Sequence, residues 1–201
     1  VTIPEDEETQ DGTDVSREEN VPAANADSYE EMMESMNERA AEARKGIAAI
    51  EPVQADEDWE KEMTGIGTGA AGVITADNGQ ELLILADDSV CEAASEWTAT
   101  FQDGKEYRAS LKKRDKNSGL AMFSVSRGDI KDSTWSEIKV SALGNSNLVK
   151  QGDTVMALGN LFGYADGMGY GTVNSTDYKT TFFDGECDIL ATHIPAEAQG
   201  T

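Results

Sequence analysis

Along the chain, apolar positions recur first at a helical spacing and then, from residue 46 onward, at a spacing of two. Met33, Met36, Ala40, Ala43 and Ile47 follow one another at intervals of three and four, which places them on one stripe of a helix. Ser28 with Glu31 three residues later forms a capping box, so the pattern predicts a helix over 27–45. The stripe is short and made mostly of small residues, which suits docking on a parent domain better than a coiled coil. The period then changes. "GIAAIEPV" reads as a strand, and the acidic "QADEDWEKEM" as a loop. "GIGTGAAGVITADNGQELLILA" reads as a glycine-rich approach, a strand ending at Ile74, a turn at "ADNG" and a strand from Glu81 to Leu85. In "EWTATFQDGKEYRASLKKRD", Trp97, Ala99 and Phe101 alternate with polar residues. Asp103-Gly104 makes the turn, and Tyr107, Ala109 and Leu111 alternate on the return, a β-hairpin. "GLAMFSV", "DTVMALGN", "GYGTVNSTDYKT" and "CDILATHI" add further strands, with "GNLFG" and "YADGMGYG" read as turns. Many short strands at this spacing predict an all-β barrel or sandwich.

Charge divides the chain unevenly. The formal charge is −23, and residues 1–62 hold 20 acidic side chains against 5 basic ones. Residues 1–26 mix charge, Thr, Asn and Pro without a period and read as a disordered acidic tail. An acidic surface repels nucleic acid and anionic lipid, which argues against both as partners. No run approaches the ~18 apolar residues of a membrane span. The opening "VTIPEDEETQDGTD" has no basic and apolar leader pattern, which leaves open a fragment, a mature form or an ectodomain cut after an anchor. Cys91 and Cys187 read either as one disulfide or as two buried thiols. His193 is the single histidine and has no ligand at metal spacing, so no metal or cofactor is expected. The acidic clusters lack the EF-hand calcium pattern and read as solvated turns. Trp59, Trp97 and Trp135 read as packing residues.

Six segments, in order, carry a family resemblance. "GIGTGAAGVI" resembles GSGSGFII, and "ILADDSVCEAA" resembles ILTNNHVVEGA. "ATFQDGKEYRASLKKRDKNSGLAMFSV" resembles TLSDGREF…RDPETDLALLKI, and "LGNSNLVKQGDTVMALGNLFG" resembles LGDSDKLRVGDWVLAIGNPFG. "GYGTVNS" resembles TAGIVS, and "ILATHIPAEAQGT" resembles FIQTDAAINPGNS. Together they resemble the HtrA/Deg branch of the trypsin-like serine proteases over about residues 45 to 201. The resemblance implies an all-β fold of two antiparallel six-stranded barrels with a cleft between them. The first would run over 46–127 and the second over 137–201. The family continues past its nucleophile, so the second barrel is expected to be incomplete, finished by a longer chain or a complementing segment.

The family's chemistry needs a nucleophilic hydroxyl, an imidazole that takes its proton and a carboxylate that orients the imidazole. Aligned by flanking residues, the histidine position is Ser89, the carboxylate position is Gly119 and the nucleophile position is Thr201. Gln199 stands where the family has a glycine that donates to the oxyanion. His193 matches the family's QTDAAI strand rather than its base. Asp87, Asp88 and Asp115 are the nearest carboxylates, and read as turn residues rather than recruited catalysts. The resemblance therefore implies a degenerate scaffold, a pseudoprotease. It would hold a peptide or protein in the inter-barrel cleft by strand addition. It would lie outside the cytoplasm, with a membrane anchor beyond this chain and homo-oligomers as in family members. Two rivals stand beside this: an active serine endopeptidase, and a purely structural module of an envelope assembly.

Overall fold

The computed structural model describes residues 26–53, 69–92, 94–161, 164–182 and 185–194. The expected disordered tail lies outside these. Helix α1 spans Ala26–Arg44, shifted one residue toward the N-terminus from the expected 27–45. Ser28 thus sits inside the first turn, where Asp27 complements the positive end of the helix. Of the expected stripe, Ala40 is buried and Met33 and Met36 are half-buried, but Ala43 is exposed. Ile47 belongs to the following strand, because the helix stops before Gly46, whose N–H donates to the Ala43 carbonyl at 2.9 Å. A side chain at Gly46 would collide with Ser141 Oγ, which itself donates to the Gly46 carbonyl at 3.1 Å.

Six strands close a barrel: β1 (Ile47–Pro52), β2 (Ala70–Asp77), β3 (Glu81–Asp87), β4 (Trp97–Thr100), β5 (Glu106–Asp115) and β6 (Leu120–Ser126). They are antiparallel in the order β1-β2-β3-β6-β5-β4, with β4 returning to β1. Period-two alternation explains which side chains enter: Ala48 and Ile50 from β1, Leu82, Ile84 and Ala86 from β3, Ala121, Phe123 and Val125 from β6. Each large aliphatic or aromatic side chain so buried contributes about 1.5–3 kcal/mol. Trp97 meets Phe123 edge-on at 5.5 Å between ring centroids. The expected hairpin is present, Trp97 opposite Ala109 and Ala99 opposite Tyr107. The strand expected to end at Ile74 instead runs on to Asp77, because a bulge between Ile74 and Ala76 moves the turn to Asn78-Gly79.

Beyond the barrel, a one-turn helix α2 (Asp132–Trp135) and Ile130 and Ile138 join the same core. The connection onward is laced to the barrel: Lys139 N–H donates to Lys45 O, and Ser141 N–H to Ile74 O. Then β7 (Thr154–Leu161), β8 (Tyr164–Phe182) and β9 (Gly185–His193) form an open antiparallel sheet in the order β7-β8-β9. This is the incomplete second unit that the resemblance implies. The glycine-rich "YADGMGYG", read above as a turn, lies within β8, with Gly167, Gly169 and Gly171 opposite Gly159, Ala157 and Val155. Alternate glycines leave one face of that strand bare. At Gly171 a Cβ would strike the His193 carbonyl of β9, so close backbone approach, not chain reversal, explains this glycine. Helix α1 lies against β7, and Tyr170 donates to Asn37 Oδ1 at 3.0 Å. Lys139, at 2.7 Å, and then Lys45 hold the Glu42 carboxyl below its usual range.

Candidate functional site

At the end of β3 the chain makes a 3-10 turn over Asp88–Cys91. Asp87 caps it, its Oδ1 accepting from the Ser89 N–H at 2.9 Å, and Glu92 N–H closes it on the Ser89 carbonyl. Val90 is buried in the barrel, and the Trp97 indole donates to the Val90 carbonyl at 2.9 Å. The residue between these anchors, Ser89, is exposed. The turn before β6 brings Gly119 alongside. It has φ +70°, a conformation that favours glycine, and its carbonyl accepts from Asp88 N–H at 2.9 Å.

The structure thus brings together the two first-barrel positions that the resemblance assigns to base and carboxylate. Neither side chain present is a base or an acid near neutrality. Thr201 and Gln199 lie outside the described residues. His193 lies on the open sheet, exposed, opposite Thr172 across the β8–β9 ladder. Among the described residues no side-chain hydrogen bond links it to a hydroxyl.

Each nearby carboxylate has a structural partner. Asp87 caps the turn. Asp88 Oδ2 accepts from Arg114 Nε at 2.8 Å, both side chains about four-fifths buried. Asp115 accepts from Asn117 N–H at 3.0 Å, and that bond, with Ser118, holds its carboxyl below the usual range. Arg114 also reaches Glu92 at 3.6 Å, so one guanidinium clasps both ends of the turn that carries Ser89. Sequence reading missed this residue. A bulge between Leu111 and Lys113 shifts the alternation of β5, so Arg114 rather than Lys113 turns inward. Cys91 is a free, half-buried thiol, and burial raises its pKa while Arg114 pulls it back. Among the described residues, no group of His, Cys, Asp and Glu could hold a metal ion.

A closed barrel beside a second antiparallel sheet, with a capped turn and a glycine turn meeting at one barrel end, defines the class of trypsin-like folds. The family model for the trypsin-like peptidase domain matches residues 67–198, and the chain belongs to that family. Within it the chain is similar to a probable periplasmic serine protease do/HhoA-like of Haemophilus influenzae. They are 29% identical over 121 residues, 60% of this chain and 23% of that protein. It is also similar to the serine protease Do-like HtrB of Bacillus subtilis, 27% identical over 61% of this chain and 26% of that protein. The chain spans about a quarter of the length of the curated relatives it matches. Among solved structures, an HtrA-type protease AlgW with tripeptide superposes with a TM-score of 0.54 at 22% identity. That match covers 70% of this chain and 40% of the other.

Proposed function

We propose that this chain is a catalytically silent HtrA-like domain that binds an extended peptide or protein segment between its barrel and its second sheet. One observation supports the reading: the position that the resemblance matches to the family's base is an exposed serine, Ser89, set beside Gly119 in a turn fixed on both sides. A serine hydroxyl takes no proton near neutral pH, so a nucleophile facing it stays unactivated. Loss of one triad member typically costs about 10⁴-fold or more in rate. The relatives named periplasmic favour a place outside the cytoplasm, and an anchor or oligomer belongs to the same proposal. Incubated with casein and with a fluorophosphonate probe, the chain is expected to leave casein intact and take no label, and Thr201→Ala to change neither. Cleavage or labelling that Thr201→Ala abolishes overturns the reading.

The second reading, an active serine endopeptidase, is favoured by the relatives' names, all of which describe proteases. The same assay separates the two. Failure to retain any peptide from a random-sequence array would leave a purely structural module.

A further inference from the structure

We propose that the contact between helix α1 and the second sheet is a thioether site for a soft monovalent cation, Cu(I), with Met33, Met36 and Met168 as its ligands. Thioether sulfur prefers such an ion to the harder divalent cations, which take oxygen and nitrogen. Met33, Met36, Asn37 and Ala40 stand three or four residues apart on one stripe of α1. Ala40 is buried, so the stripe faces the body of the molecule, and Met33 and Met36 on it are half-buried. On the sheet, Tyr170 pairs with Met156 and Met168 with Leu158, so these four side chains share one face. The Tyr170 hydroxyl joins the two sides. It meets Asn37 Oδ1 at 3.0 Å and Met168 Sδ at 3.0 Å. The Met168 sulfur therefore lies one hydroxyl away from the residue that follows Met36.

Three observations favour an ion here over simple packing. The first is where the sulfur is. Five of the seven methionines, Met32, Met33, Met36, Met156 and Met168, fall on α1, β7 and β8. Methionine commonly serves as a pliant filler of gaps. Yet the buried cluster of the barrel uses none, and is built from Ala, Val, Ile, Leu, Phe and Trp. Gap filling does not explain why this one contact is rich in thioethers. The second is the hydrogen bonding. Tyr170 has one proton for two acceptors, and the amide oxygen is the stronger of them. Met168 Sδ thus keeps its lone pairs for a cation. The third is charge. Helix α1 carries six carboxylates against two arginines, a field that draws a cation and repels an anion. Among the described residues no group of His, Cys, Asp and Glu competes as a metal site.

All three ligands lie on α1 and β8. The site therefore does not depend on the barrel, on Ser89 or on a peptide in the cleft, and it stands or falls apart from the casein assay.

Ag(I), a redox-inert stand-in for Cu(I), tests the proposal. It is titrated into the full chain carrying Cys91→Ala and Cys187→Ala, which removes the thiols that would otherwise take the ion. Methionine methyl groups are followed by NMR. The expected result is saturable shifts at Met33, Met36 and Met168, complete at one equivalent, with the Met122 methyl of β6 unmoved and Zn(II) without effect. Met168→Leu keeps the volume of the side chain. It should weaken Ag(I) binding about tenfold or more, since even residues that only orient a ligand are typically worth about 10–100-fold. Met36→Leu should do the same from the helix side, so the outcome does not hinge on one variant. A drift of every methionine methyl that never saturates, or the absence of any shift at Met168, overturns the proposal. So do Met168→Leu and Met36→Leu chains that bind Ag(I) as tightly as the parent.

Discussion

Thr134 shows how much one side chain holds in this molecule. It is fully buried, and its hydroxyl donates to Asp103 Oδ2 at 2.7 Å while accepting from the Tyr107 hydroxyl at 2.7 Å. The relay ties α2 to the β4–β5 hairpin, and Lys105 adds an ion pair to Asp103 at 3.0 Å. Thr134→Val leaves two polar groups without their partner, and should lower the unfolding free energy by about 1–3 kcal/mol, measured by urea denaturation. Burial alone would raise the Asp103 carboxyl, but the bonds from Thr134 and Lys105 outweigh it and hold it below its ordinary value. A folded-state pKa below the unfolded one means that acid loads protons onto the unfolded chain first. This contribution is therefore complete above the ordinary carboxylate range and is lost as the pH falls through the folded-state value. Asp103→Asn should flatten that part of the acid unfolding curve. At this scale the sequence singled out Ser89 and Gly119, whose neighbours align with the family on both sides, and the structure places their turns side by side. The sequence hid the Thr134 relay and the Arg114 clasp, which depend on side chains 26 to 31 residues apart meeting across strands.

Elements were legible where alternation is clean and illegible where glycine replaces it. The hairpin of β4 and β5 is visible in Trp97, Ala99, Tyr107 and Ala109, because one wall faces the core and the other water. Strand β8 was legible only over "GYGTVNSTDYKT"; its start, Tyr164 to Met168, was read as a turn, since the glycines of "YADGMGYG" carry turn chemistry and adopt extended pairing instead. The β8–β9 ladder depends on that bareness. Gly171→Ala would press a methyl group onto the His193 backbone, which has no rotamer to escape into. It should destabilise the ladder by more than the ~1 kcal/mol of an ordinary strand substitution. Loss of long-range NOEs between Thr172 and His193, with those between Ile84 and Phe123 kept, is the expected signature.

The whole molecule divides its apolar burial unequally. Every residue of the main buried cluster falls between Ala48 and Ile138, while Val173 is the buried hydrophobic of the second sheet among the described residues. Composition anticipated this only in part. The 20 acidic residues within 1–62 showed which third of the chain has least to bury, but not that the two β-units differ so much in their cores. Closure of the first unit leaves its six strands with no free edge, whereas Ile189 and Leu190 on β9 stay over a third exposed.

Closure has a consequence for how the chain breathes. Amides of Ile84 and Phe123 can exchange with deuterium only when the ring of strands opens as a unit, whereas those of β9 can do so through local fluctuation. A difference of about a hundredfold or more in exchange rate is expected between them. The softer half then acts as its own reporter. A segment that adds to its rim should slow deuterium uptake there, and leave the harder half unchanged.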